Sequence, residues 1–209
     1  MLTDLTIKDF LSKVSDSDPV PGGGSISALN AAIAASLETM VANLTVGRKK
    51  YAEVEHIMKE LAEKAELAGR LFSEYVNEDA EAYEAVFSAY KLPKDTEEEK
   101  AIRSEAIQEA TKDAAEVPME VARAACTLLS SIDYVARNGN SNAVTDACVA
   151  MMCARTAILG ALLNVRINLS SIKDEDFVKR YTAEADELEK TACQKEQELL
   201  TFARETYGL

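Results

Sequence analysis

Two stretches of this chain are apolar on most of their faces at helical spacing, and they constrain the fold more than any other feature. The first, roughly 25–46, reads "SISALNAAIAASLETMVANLTV", and the second, roughly 142–167, reads "NAVTDACVAMMCARTAILGALLNVRI". A helix that is apolar all round must be buried by its neighbours. The rest of the chain supplies such neighbours: amphipathic segments at about 51–90, from 96 to about 137, and about 175–206, with a short first helix at 6–15. Thr6 with Asp9 and Thr96 with Glu99 read as capping boxes, Ser25 as the cap of the second helix and Asp174 as the cap of the last. Gly47, Pro93 and the "NGN" turn at 138–140 are stops, and Pro118 is expected to kink or restart the helix around it. Strand-type alternation of useful length is absent. The expected fold is all-α, an antiparallel up-and-down bundle of long helices forming a single domain over 1–209.

Composition narrows the partners. The net charge of −13 argues against nucleic acid and anionic membrane. Asp146, Arg155 and Arg166 interrupt the second apolar stretch, which argues against a membrane span. The four cysteines form no CxxC pair, and the opening "MLTDLTIKDF" lacks the basic and apolar regions of a secretion signal. Free thiols and a cytoplasmic location are expected. In that setting the sequons at Asn43 and Asn168 carry no weight.

Several residues are candidates for chemistry. "PGGGS" at 21–25 lacks the Lys-Ser/Thr of a phosphate loop and the strand and third glycine of a dinucleotide fingerprint. It either lets a ligand approach the backbone or lets two helices pack closely. Glu53 and His56 match half of a di-iron motif, but His56 is the sole histidine, so a solvated residue is the better reading. Asp79 shares a helical stripe with Phe72, Tyr75, Val76, Tyr83 and Val86. A carboxyl there loses hydration and gains a raised pKa, as suits a general acid; pairing with a basic side chain is the equal alternative. In 142–167, Asp146, Cys153 and Asn164 share one face, and Arg155 and Arg166 the opposite one. One face could line a site and the other meet a neighbouring helix or subunit; internal hydrogen bonding between helices is by itself the slightly better reading. "GRKKY" at 47–51 is the one dense basic run, suited to substrate carboxylates or to plain solvation.

Four separated segments, "VPGGGSISALNAAIAASLETMVANLTVGRKKY", "EDAEAYEAVFSAYKLPKDTEEEK", "NGNSNAVTDACVA" and "NVRINL", resemble the formiminotransferase-cyclodeaminase C-terminal family, in the same order and over nearly the whole chain. The resemblance implies an all-α subunit that forms homodimers and binds a tetrahydrofolate derivative, polyglutamylated or not, at or near the subunit interface. It implies no metal and no cofactor beyond that substrate. Through "EDAEAY" it places the family's proton-donating Asp on Asp79. Gly22, Gly23, Gly24, Ser25, Thr45, Gly47, Gly139, Asn140, Asp146 and Asn164 become site or site-shaping positions, and Arg48, Lys49 and Lys50 become holders of the glutamate tail. Asn77 stands where other members often carry an acid. The expected reaction is closure of 5-formiminotetrahydrofolate to 5,10-methenyltetrahydrofolate with release of ammonia. The alternatives are hydrolysis of 5,10-methenyltetrahydrofolate, or a non-catalytic folate-binding protein. Formiminotransferase activity is not expected.

Overall fold

The computed structural model describes residues 1–208 and, among them, is helical without strands. Six α-helices follow in order: α1 (Ile7–Val14), α2 (Gly23–Thr45), α3 (Glu55–Tyr90), α4 (Glu97–Asn138), α5 (Val144–Leu169) and α6 (Glu175–Tyr207). Short 3-10 turns precede α1, α3 and α5.

The two apolar stretches are α2 and α5, and they form the centre. α2 packs on α3, α5 and α4; α5 packs on α4, α2 and α6. Alanine makes this possible: Ala28, Ala31, Ala34, Ala35 and Ala42 of α2 and Ala147, Ala150, Ala154, Ala157 and Ala161 of α5 are fully buried. Small side chains let the axes approach, and larger ones from α3 and α4, such as Phe72, Met58, Met119 and Ile132, fill the remaining core. α2 and α5 come close at Gly160, where an added Cβ would lie 2.5 Å from the Ser27 hydroxyl. By length and hydropathy α2 and the segment Ser141–Leu169 could each cross a membrane, yet half of each tested window is buried inside the fold.

The Thr96–Glu99 capping box and the Asp174 cap form as expected, while Thr6 caps α1 without the reciprocal bond from Asp9 to its backbone. Asp9 N–H donates to Thr6 Oγ1 at 3.2 Å, Glu99 N–H to Thr96 Oγ1 at 3.1 Å and Phe177 N–H to Asp174 Oδ1 at 3.0 Å. Arg155 and Arg166 do face a neighbouring helix: Arg155 meets Glu196 of α6 at 3.5 Å, and Arg166 meets Asp186 and Glu189 at 2.9 and 2.6 Å.

Two local expectations are corrected. Ser25 does not cap α2; Gly22 occupies the cap position and the helix begins at Gly23, which frees the Ser25 hydroxyl for another partner. Pro118 does not restart a helix, because α4 runs unbroken from Glu97 to Asn138. A proline cannot bond the carbonyl four residues back. Here that carbonyl, Ala114 O, instead accepts from Asn168 Nδ2 of α5 at 2.8 Å. A side chain from the neighbouring helix replaces the missing backbone donor.

Candidate active site

At the start of α2 the chain runs through its glycines directly against α3. The Ser25 hydroxyl donates to Asp79 Oδ2 at 2.9 Å, joining the beginning of one helix to the last third of the other. Gly24 is buried here. A Cβ on Gly24 would overlap Asp79 Oδ1 and lie 2.5 Å from its Cγ. A Cβ on Gly23 would meet Asn164 Nδ2 at 3.3 Å, and one on Gly22 would meet Pro19 O at 3.0 Å. Of the two readings of this loop, the close approach of helices is realised, and the same glycines line a cleft.

That cleft has a volume of about 360 Å³ and is lined by the three glycines, Asp79, Tyr83, Val86, Ala114, Asn164 and Asn168 among others. Burial pushes the Asp79 carboxyl above the ordinary Asp range, while the hydroxyl and backbone amide of Ser25 pull it back down. The positive end of α2 also favours the ionised form. Phe72 and Val76 of the Asp79 stripe are buried and Tyr75 is half-buried, whereas Tyr83 is 44% exposed beside the cleft. Asp79 has no basic partner among the described residues; its partner is Ser25. Asn77, one turn-half away, binds the amino terminus: it accepts from Leu2 N at 2.7 Å and donates to Thr3 Oγ1 at 3.3 Å.

The remaining candidate residues gather elsewhere. Thr45 is buried at the end of α2, where its hydroxyl accepts from Asn140 N at 2.9 Å, and Asn140 Nδ2 donates to Leu44 O at 3.1 Å. A Cβ on Gly139 would lie 2.9 Å from Thr45 Oγ1. Gly47 turns the chain with a positive φ of 76°, and the exposed Arg48, Lys49 and Lys50 follow it. Asp146 lies in the first turn of α5 at this same end. From Gly24 to Thr45 the helix rises by about 32 Å. The sequence-predicted residues thus form two clusters at opposite ends of α2: Gly22, Gly23, Gly24, Ser25, Asp79 and Asn164 at one, and Thr45, Arg48, Lys49, Lys50, Asn140 and Asp146 at the other. Within one subunit Asp146 and Asn164 share a helical face but lie at opposite ends of α5.

Two polar residues escaped the sequence reading. Asn168 lines the Asp79 cleft and is held there by Ala114 O; the signal was Pro118, readable only once its neighbouring helix is known. Tyr51 accepts from Ser141 N at 3.0 Å at the other end, and its bonds to Ser141, with Lys50 close by, lower its pKa to about 8. His56 is exposed, as expected. A larger recess of about 790 Å³ lies between α2, α3 and the amino-terminal turn, but Glu66, Glu74, Glu78 and Glu81 line it and Asp79 does not. Arg70, paired with Glu66 at 3.4 Å, and Met1 also line it, so acids outnumber the cations there and disfavour an anionic ligand.

Known proteins share this chain's sequence pattern and its fold. The family model described as formiminotransferase-cyclodeaminase matches residues 6–187. A methenyltetrahydrofolate cyclohydrolase of Methylorubrum extorquens is 41% identical over 88% of this chain and 88% of its own length. The formimidoyltransferase-cyclodeaminase of Rattus norvegicus is 34% identical over 86% of this chain, which spans only 33% of that longer protein. The crystal structure of a formiminotetrahydrofolate cyclodeaminase from Thermotoga maritima superposes with a TM-score of 0.85 at 33% identity, covering 95% of this chain and 96% of that one. The chain belongs to the formiminotransferase-cyclodeaminase family.

Proposed function

We propose that this chain is an enzyme acting on the one-carbon unit that bridges N5 and N10 of tetrahydrofolate, with Asp79 as the group that moves the proton. One observation carries the reading: a single carboxyl, raised in pKa by burial, is fixed by Ser25 over a glycine floor inside an open cleft. A carboxyl tuned upward exchanges protons near neutral pH more readily than an ordinary one.

Between the two reactions, hydrolysis of 5,10-methenyltetrahydrofolate takes precedence over the deamination favoured by motifs alone. Its support is the cyclohydrolase relative that matches across nearly all of both chains. In that reaction ionised Asp79 takes a proton from water as its oxygen bonds to the methenyl carbon. The proton then passes to N5 as the carbon–N5 bond breaks, and the remaining hydroxyl proton is lost through Asp79 to solvent as the C=O bond forms, giving the neutral 10-formyl product and one released proton. Cyclodeamination is the second reading, supported by the solved relative. There N10 attacks the formimino carbon, and protonated Asp79 gives its proton to the departing nitrogen, so that ammonia rather than an amide anion leaves.

The two clusters about 32 Å apart on α2 support a homodimer of antiparallel bundles, in which the basic end of one copy reaches the Asp79 cleft of the other. Arg48, Lys49 and Lys50 would then hold the glutamate tail. Exposed apolar positions on α2, Ile33, Met40 and Leu44, supply surface for such pairing. The test follows methenyl absorbance with each folate in turn. Loss of absorbance from 5,10-methenyltetrahydrofolate supports hydrolysis, and its appearance from 5-formiminotetrahydrofolate supports deamination. Asp79→Asn should lower either rate by ~10²–10⁴ with helix content kept. An unreactive wild-type protein, or an active Asn variant, refutes the assignment.

A further inference from the structure

The core contains one charged side chain among the described residues. Glu38 of α2 is 1% exposed, and its Oε2 has no hydrogen-bonding partner. It stands on the same buried line as Ala31, Ala34, Ala35, Val41 and Ala42, where any apolar side chain would serve. A desolvated acceptor without a donor is a standing cost to the fold. Burial pushes the Glu38 carboxyl up to about 7, against the pull of the nearby Ser131 hydroxyl.

The carboxyl forms the floor of a recess of about 490 Å³ between α3 and α4. Leu61 and Leu128 give it apolar walls, and Thr127 and Ser131 bring hydroxyls. The Thr127 hydroxyl donates to Ala124 O at 2.7 Å and that of Ser131 to Leu128 O at 3.0 Å. The Thr127 oxygen then has lone pairs left for a ligand, while the Ser131 hydroxyl is shared between Leu128 O and the Glu38 carboxyl, which it draws down. The titratable groups facing Glu38 are Lys64 of α3 and Tyr134 of α4. Lys64 at the rim and the hydroxyls of Ser130, Ser131 and Tyr134 are the donors along the recess, yet Glu38 Oε2 is left without one. An anion is repelled by the carboxylate. A divalent metal asks for six or more oxygens, commonly with several carboxylates, and no cluster of three or more His, Cys, Asp or Glu side chains suited to a metal occurs among the described residues.

We propose that Glu38 and this recess bind a small ammonium cation, R–NH3⁺ with a compact apolar R. The carboxylate and the Thr127 oxygen accept its N–H groups, and the leucines cover R. The site is separate from the Asp79 cleft, about 21 Å from Gly24 along α2, and it does not depend on the folate reading. Lys64 at the rim carries a like charge and opposes binding.

The test is titration of the full chain with methylammonium chloride at pH 8, followed by amide NMR, with choline chloride holding ionic strength constant. Wild type should bind saturably, with shifts at Ala65 and Ser131 and none at Gly24. Glu38→Gln should bind at least tenfold more weakly and Lys64→Ala more tightly. Leu61→Phe, which fills the recess and leaves Glu38 intact, should also weaken binding at least tenfold and keeps the test valid should Glu38→Gln not fold. Below pH 7 the wild-type affinity should fall as Glu38 takes up its proton. Absence of saturable binding, equal binding by Glu38→Gln, or equally effective displacement by potassium overturns the proposal.

Discussion

Replacing Gly24 by alanine tests the heart of the site, because the added methyl falls on the Asp79 carboxyl. The structure can yield in two ways. α2 and α3 can separate, at a typical overpacking cost of ~1–3 kcal/mol, but Asp79 Cγ at 2.5 Å also overlaps, so a shift of a few tenths of an ångström does not suffice. Alternatively the short Asp79 side chain rotates away and gives up its bonds to Ser25, worth ~1.5–3 kcal/mol for a charged acceptor. Alanine returns ~0.5–1 kcal/mol of helix preference over glycine. Rotation leaves the backbone packing intact and is the cheaper route, so the net loss should be about 1–2 kcal/mol. Turnover should fall much further, ~10²-fold or more, since the proton-moving group leaves its place. Urea denaturation gives the first quantity and methenyl absorbance the second. Gly23→Ala is the control: its methyl meets only the Asn164 amide at 3.3 Å and should alter stability by less than ~1 kcal/mol. A Gly24→Ala protein with wild-type turnover would show that Asp79 is not held on this glycine, and the site assignment would fall with it.

Ser25→Ala removes a bond that lowers the Asp79 pKa, so the Asp79 limb of the pH–rate profile should move to higher pH; an unmoved limb refutes the pairing. That limb also separates the reactions: hydrolysis by ionised Asp79 should rise with pH through it, and deamination by protonated Asp79 should fall. Glu38 binds its proton more tightly folded, at about 7, than at its ordinary 4.5. Its contribution is therefore full below about 4.5 and is lost as pH rises to about 7, by at most about 3 kcal/mol. Glu38→Gln should flatten that decline in denaturation curves taken across the range, and an unchanged curve contradicts it. Asn168→Ala should cost ~1–2 kcal/mol by stranding Ala114 O, and much less when combined with Pro118→Ala, which restores the backbone donor. Additive effects in that double-mutant cycle would dissociate Asn168 from the proline.

The sequence made legible what depends on near neighbours along the chain. The Thr6, Thr96 and Asp174 caps, the buried character of α2 and α5, and the two faces of α5 all follow from spacings within one helix. The Asp79 stripe was likewise visible at −7, −3 and +7, although Tyr83 turns out to border an open cleft. What stayed hidden depends on partners far apart in sequence. Ser25 looked like a cap because serine is a good one, and only the approach of α3 reveals its other use. Pro118 looked like a break because the donor that rescues it sits on α5, 54 positions from the carbonyl it satisfies. The division of the candidate residues between two ends follows from the length of α2, which motifs read one by one do not convey.

Asp79 and Glu38 show how one helix gives two carboxyls different work. Asp79 of α3 faces the start of α2 and Glu38 belongs to α2 itself, and burial is the largest influence raising each. Asp79 meets the beginning of the helix, where free N–H groups, the Ser25 hydroxyl and the dipole offset part of that penalty. It remains partly open to its cleft, so substrate can reach it and its proton can exchange. Glu38 projects from the middle of α2, where every backbone N–H is already committed to the helix. Ser131 is the one polar neighbour that lowers its pKa, and one carboxyl oxygen finds no partner. A carboxyl so placed cannot recover its desolvation within the chain. The missing donor must come either from its own proton or from a ligand, and the recess beside it gives a ligand room to supply one.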